Sequence, residues 1–140
     1  EHLTEELLDR LLASASIEQY LDEGLVSART LTDYLFDRME AHDLRRADVV
    51  RASGLNATVV YDIFSGKSRP GRDHAIMLAF GLKCTLRETQ RLLRLAGVSE
   101  LWCKQRRDAI IIWCIRNGFD RIATDDELYR MGEATLLPAD

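Results

Sequence analysis

The sequence predicts an all-α fold, an orthogonal bundle of some eight or nine short helices. Three observations lead there: apolar residues recur at helical spacing almost throughout, alternating strand-like runs are missing, and proline occurs only at positions 70 and 138. The 140 residues suit a single domain, 1–140, which buries roughly two thirds of its unfolded surface on folding.

Each helix follows from a local pattern. Thr4 precedes EELLDRLLAS, whose Leu7, Leu8, Leu11 and Leu12 form one stripe. Ser16 opens IEQYLDEG, and Gly24 suits the left-handed residue that ends a helix. Thr30 opens LTDYLFDRMEAH, with Leu31, Leu35 and Met39 on one face. Two short helices follow, 46–53 and 57–64, each stopped by a glycine-containing turn. The stretch from Arg72 to Leu82 carries Ala75, Ile76, Ala79 and Leu82 at helical spacing. Thr85-Leu-Arg-Glu88 forms a capping box, in which hydroxyl and carboxylate satisfy each other's backbone N–H, before a helix ending at Gly97. A longer helix from about Gln105 to Ile115 stops at Asn117-Gly118. A second capping box, Thr124-Asp-Asp-Glu127, opens a last helix that ends near Gly132. Trp102 and Trp113 read as packing residues, with an interface role as the alternative, and only the terminal LLPAD reads as a loose tail.

Charge divides the chain more than its net value of −4 suggests. Residues 1–40 carry −7, 41–82 carry +2, 83–107 carry +5, and 120–140 carry −4. A basic middle between acidic ends serves an acidic partner or the chain's own packing. Arg87, Arg91 and Arg94 share one helix face, a stripe expected to be solvated and paired with the acidic N-terminal helices, with a second phosphate-contact surface as the alternative.

Several functions are disfavoured. The longest apolar run, AIIIWCI at 109–115, is far below the ~18 residues of a membrane span. No signal peptide pattern is visible, although residue 1 is Glu and a trimmed natural start is expected; the location expected is cytoplasmic. Cys84, Cys103 and Cys114 have no metal-ligand spacing and read as buried free thiols, so neither a metal nor another cofactor is expected. Gly66-Lys67-Ser68 imitates a phosphate loop, but Tyr61 stands where the loop needs glycine and a helix precedes it rather than a strand. With no nucleophile–base arrangement in sight, an enzyme is not expected.

The informative constellation is RRADVVRASGLNATVVYDIFSGKSRP, residues 45–70. Two short helices meet at Gly54-Leu55-Asn56, behind a leading helix at 30–42. Gly54 suits a left-handed backbone position, and Asn56 caps the helix that follows. Val49 and Val50, facing Val60 and Ile63, have the spacing that locks two helices at a steep angle. This stretch resembles the Cro/repressor-like (XRE family) helix-turn-helix domain in its turn glycine, its apolar pair and its ending SGKSRP. The resemblance covers about residues 29–97. Residues 1–26 then become N-terminal acidic helices, and 98–140 a C-terminal helical extension. Val50 departs from the alanine that family members often place at the close crossing.

The resemblance implies duplex DNA binding, usually as a homodimer, with helix 57–64 in the major groove. Its base-facing positions fall on Ala57, Thr58, Tyr61 and Asp62. None is Arg, Lys, Asn or Gln, the types that make bidentate base contacts. The backbone-gripping positions fall on Arg45, Arg46, Asn56, Lys67, Arg69 and Arg72, which would position the duplex without reading it. The expected function is therefore a DNA-binding transcriptional regulator, with a protein partner accommodated through the N- or C-terminal helices. The alternative is a protein-interaction adaptor that keeps the fold without the DNA grip, favoured by the acidic total and the apolar Val59, Tyr61 and Phe64.

Overall fold

The structure, a computed structural model, describes residues 4–22 and 30–138, and among these every regular element is a helix. In chain order they are α1 (Thr4–Ala13), α2 (Ile17–Asp22), α3 (Leu31–Ala41), α4 (Arg46–Ser53), α5 (Ala57–Phe64), α6 (Arg72–Gly81), α7 (Leu86–Leu95), α8 (Arg106–Arg116) and α9 (Arg121–Arg130). The Gly24 stop expected after α2 lies outside the described residues.

Caps explain most boundaries. The Thr30 hydroxyl accepts from the Asp33 N–H at 3.2 Å, and the Asn56 side chain accepts from the Val59 N–H at 2.9 Å. Thr85 and Glu88 make the reciprocal pair that starts α7. Such a cap contributes about 1 kcal/mol, a large share for a two-turn helix. Gly54 ends α4 at φ 82°, where a side chain would be strained.

The α9 start differs from expectation. The helix begins at Arg121, with the Asp120 carboxylate accepting from the Ala123 N–H at 2.8 Å, and Thr124 is buried inside it rather than capping it. Both local caps are chemically sound. The earlier one prevails because it places Leu128 in the core and turns the Asp125 carboxylate to the Leu136 and Leu137 N–H groups, at 2.6 and 3.2 Å. Leu136 is accordingly buried, so the segment read as a loose tail is anchored at its start.

One core joins the middle of the chain to its C-terminal helices. Leu35 (α3), Val49 (α4), Val60 and Ile63 (α5), Ile76 and Leu78 (α6), and Leu92 (α7) share it with Ile111 and Leu128 of α8 and α9. Each such side chain contributes about 1.5–3 kcal/mol on burial. Helices α4 and α6 approach closely: a Cβ added to Gly81 would lie 2.9 Å from both the Ser53 Cβ and the Val49 carbonyl oxygen. Val50 is only half-buried and does not set that distance.

Several expected core residues lie outside. In α1, Leu8, Leu11 and Leu12 are exposed, so the leucine stripe is not covered. Trp102 and Trp113 are also exposed, the latter set edge-to-face on Phe119. Of the cysteines only Cys114 is fully buried; Cys103 is exposed, and burial pushes the half-buried Cys84 thiol up to about 12.

Candidate nucleic-acid interface

Helix α5 is apolar on one side and open on the other. Val60, Ile63 and Phe64 are buried, whereas Ala57, Thr58 and Tyr61 are exposed and Asp62 is half-buried. At 100° per residue this is what a two-turn helix does when one face meets the core. The outer ridge is uncharged apart from Asp62.

Arg45 and Arg46, at the start of α4, are both exposed. The Arg46 guanidinium lies over the Tyr61 ring, 5.3 Å from its centroid, so α4 and α5 present a joined cation and aromatic ring to solvent. The α4 N-terminus itself is less open to an anion than the sequence suggested. Asp48 already accepts the Arg45 N–H at 2.9 Å and pairs with Arg51 at 2.6 Å. The Arg45 N–H, followed by Arg51, holds that carboxyl below its ordinary range, so it is ionised and occupies the positive end of the helix. Asn56 is exposed; its carbonyl oxygen is engaged in the cap, which leaves its amide N–H groups for other partners.

Lys67 and Arg69 follow α5 and are exposed, the Arg69 guanidinium lying beside Gly97. The backbone that carries Lys67 is fixed, because the N–H groups of Lys67 and Ser68 both donate to the Asp62 carbonyl, at 2.9 and 3.2 Å.

Arg72 does not join them. Its guanidinium donates to both oxygens of the buried Asp108 carboxylate, at 3.0 and 2.7 Å, and to the carbonyls of Ser99 and Glu100, at 3.0 Å each. That engages all but one of its N–H groups. Next to it the pairing is crossed: Asp73 of α6 receives Arg107 of α8, at 2.9 and 3.1 Å. Two Arg-Asp dipeptides, 72–73 and 107–108, thus clamp the N-termini of α6 and α8 together. The repetition is visible in the sequence, but its pairing is not, because nothing local brings the two dipeptides together.

A second contact missed by sequence reasoning lies behind the turn. Arg121 of α9 is buried and paired with Asp125 at 2.7 Å, and a Cβ placed on Gly54 would come within 2.6 Å of its Nε. Gly54 therefore answers to two demands, its positive φ and the guanidinium packed against it. On α7, Arg87, Arg91 and Arg94 are exposed as expected, but their partners among the described residues are not the acidic N-terminal helices: Arg94 pairs with Glu100 at 3.3 Å and Arg91 lies over the Tyr34 ring.

No protein-family model matches the chain, and neither the curated proteins nor the solved structures give a match.

Proposed function

We propose that this chain is a DNA-binding regulator with a repressor-like, orthogonal arrangement of α3 to α7, in which the outer ridge of α5 enters the major groove of a duplex. The observation that supports it most is the pairing of an exposed, nearly uncharged ridge (Ala57, Thr58, Tyr61) with exposed cations around it: Arg46 over the Tyr61 ring, Arg45 next to it in the chain, and Lys67 and Arg69 just beyond the C-terminal end of α5. Cations beside a helix seated in the groove are placed to meet phosphates that border it.

In this reading Arg46, Lys67 and Arg69 hold backbone, Arg45 and the Asn56 amide support them, and Tyr61 is held by Arg46 against the groove wall. Arg72 has no part in it. With no bidentate base reader on α5, selection among sequences rests on Thr58, Tyr61, Asp62 and the shape and flexibility of the duplex. Few contacts per chain call for a homodimer, and a cytoplasmic location accompanies the regulator reading.

A second reading is favoured by a different surface. Trp113 is exposed, and a cavity of about 290 Å³ between α8 and α9 is lined by Ala109, Ile110, Trp113 and Met131 together with the charged Glu127 and Arg130. Exposed aromatic and aliphatic groups around a concavity suit a protein partner, as an adaptor would need.

A salt titration of duplex binding tests the first reading. The logarithm of the affinity should fall linearly with the logarithm of salt, with a slope of about −0.9 per phosphate neutralised. A flat dependence, with Arg46→Ala and Lys67→Ala indistinguishable from the parent, would remove the regulator and leave the adaptor.

A further inference from the structure

Five arginines from three helices line a single cavity of about 750 Å³: Arg38 of α3, Arg87, Arg91 and Arg94 of α7, and Arg116 at the end of α8. Among the described residues only one carboxylate, Glu88, shares that lining, and no lysine does. The sequence shows the α7 stripe; Arg38 and Arg116 join it only through the packing of α3 and α8 against α7.

The groove has a fixed floor and a free rim. On the floor, Glu88 caps α7, pairs with Arg38 and lies 3.3 Å from His42 Nε2. The Tyr34 ring carries the Arg38 guanidinium 5.2 Å from its centroid on one approach and Arg91 at 5.9 Å on another. Burial raises the Tyr34 phenol, so the ring stays neutral beneath its two cations. On the rim, Arg87, Arg91 and Arg116 are exposed and have no carboxylate partner among the described residues. Three guanidiniums that face one cavity whose described carboxylate, Glu88, is already paired with Arg38 repel one another, and an anion that bridges them removes that repulsion.

Position separates this groove from the α5 ridge. On α3, Phe36 meets Phe64 of α5, with ring centroids 5.3 Å apart, while Tyr34 and Arg38 meet α7 at Glu88. Residues two apart on a helix point about 200° apart. Helices α5 and α7 therefore meet α3 on different faces, and the groove is lined from α3, α7 and α8 without any residue of the α5 ridge.

We infer that the groove is a binding site for a compact phosphorylated ligand carrying two or more linked phosphate groups. The guanidinium fork matches phosphate oxygens two at a time, and a purely arginine rim exploits that geometry where lysines would supply only point charge. The volume falls within the range of small-molecule sites, about 300–1,000 Å³. Two linked phosphates bridge Arg87 and Arg91, whose i, i+4 spacing sets their Cβ atoms about 6 Å apart; Arg116 closes on the ligand from α8.

The test is calorimetric titration of the full chain with sodium tripolyphosphate at physiological ionic strength, free of divalent metal. Saturable one-to-one binding is expected. The Arg87→Ala/Arg91→Ala double variant should weaken it by about tenfold or more, since each change removes charge-assisted hydrogen bonds. Arg91→Lys, which keeps charge but loses the fork, should weaken it severalfold. These side chains are exposed, so thermal unfolding followed by circular dichroism should stay at the parent temperature and exclude misfolding as the cause. Lys67→Ala, outside the lining of the groove, should leave tripolyphosphate binding unchanged. No saturable binding would overturn the proposal, as would equal loss in Lys67→Ala. So would a fall in duplex affinity for the Arg87/Arg91 variant as large as that for Lys67→Ala, which would make nucleic-acid backbone the occupant.

Discussion

Lys67 and Arg72 are close neighbours in sequence, both basic, both just beyond α5. The first is exposed on a backbone held by the Asp62 carbonyl; the second is folded back onto a buried carboxylate. Cationic character is the same in both regions, but what faces each cation differs. Where a carboxylate from a distant helix reaches the guanidinium, the charge stabilises the joint between α6 and α8. Where none does, the charge remains for a partner. A count of basic residues along the chain does not separate the two cases.

The comparison breaks most visibly at Arg72. Arg72→Ala should leave the Asp108 carboxylate buried without its guanidinium and cost about 3 kcal/mol, read as a lowered urea midpoint. The salt dependence of duplex binding, measured where the variant is folded, should match the parent. A change in slope without loss of stability would return Arg72 to the interface.

Gly54→Ala comes next. The left-handed φ of 82° alone costs about 1–2 kcal/mol for a residue with a Cβ, and displacement of Arg121 adds to it. In a double-mutant cycle with Arg121→Ala the two losses should sum to more than the measured double, because the clash disappears with the arginine. Strict additivity would mean that α9 does not brace the turn.

Glu88 stands between the two regions in kind, a carboxylate that is satisfied yet lines an open groove. Burial opposes its ionisation, but the Thr85 N–H, His42 and Arg38 outweigh it and hold its pKa below the ordinary 4.5. Its folded pKa is the depressed one, so its stabilisation is complete above pH 4.5 and fades as pH falls through the lower folded value. Glu88→Gln should be less stable than the parent at neutral pH, and the gap should close on acidification in that window, as followed by urea unfolding.

The smallest effect on stability belongs to Lys67→Ala, within about 0.5 kcal/mol. Its effect on function should be large by comparison: the salt slope of duplex binding should drop by about one, as it should for Arg46→Ala. Together with Arg72→Ala this gives opposite signatures at neighbouring positions, slope without stability and stability without slope.

The legible part of the fold is the part written in short-range chemistry. Thr30, Asn56 and Thr85 announce the starts of α3, α5 and α7 because a cap joins residues three apart. Gly54 announces the end of α4, since its conformation belongs to that one residue. The split of α5 into a buried side and an open side also follows from its own apolar spacing, so Thr58 and Tyr61 could be placed outward before any coordinates. At Thr124 the same reasoning failed because two caps of equal local quality compete, and the choice was made by Leu128 and the tail bonded to Asp125.

Local pattern therefore settles that this chain is helical, where most of its helices begin and which ridge of α5 is open. It does not settle which arginines are spent inside the protein. Arg72 meets Asp108, Arg121 meets Gly54, and Arg38 and Arg116 join the α7 stripe only after distant helices have packed. A cap acts over one turn of backbone whose geometry is the same in every protein, whereas a guanidinium at the end of a long side chain takes whatever partner the completed core brings within about 3 Å.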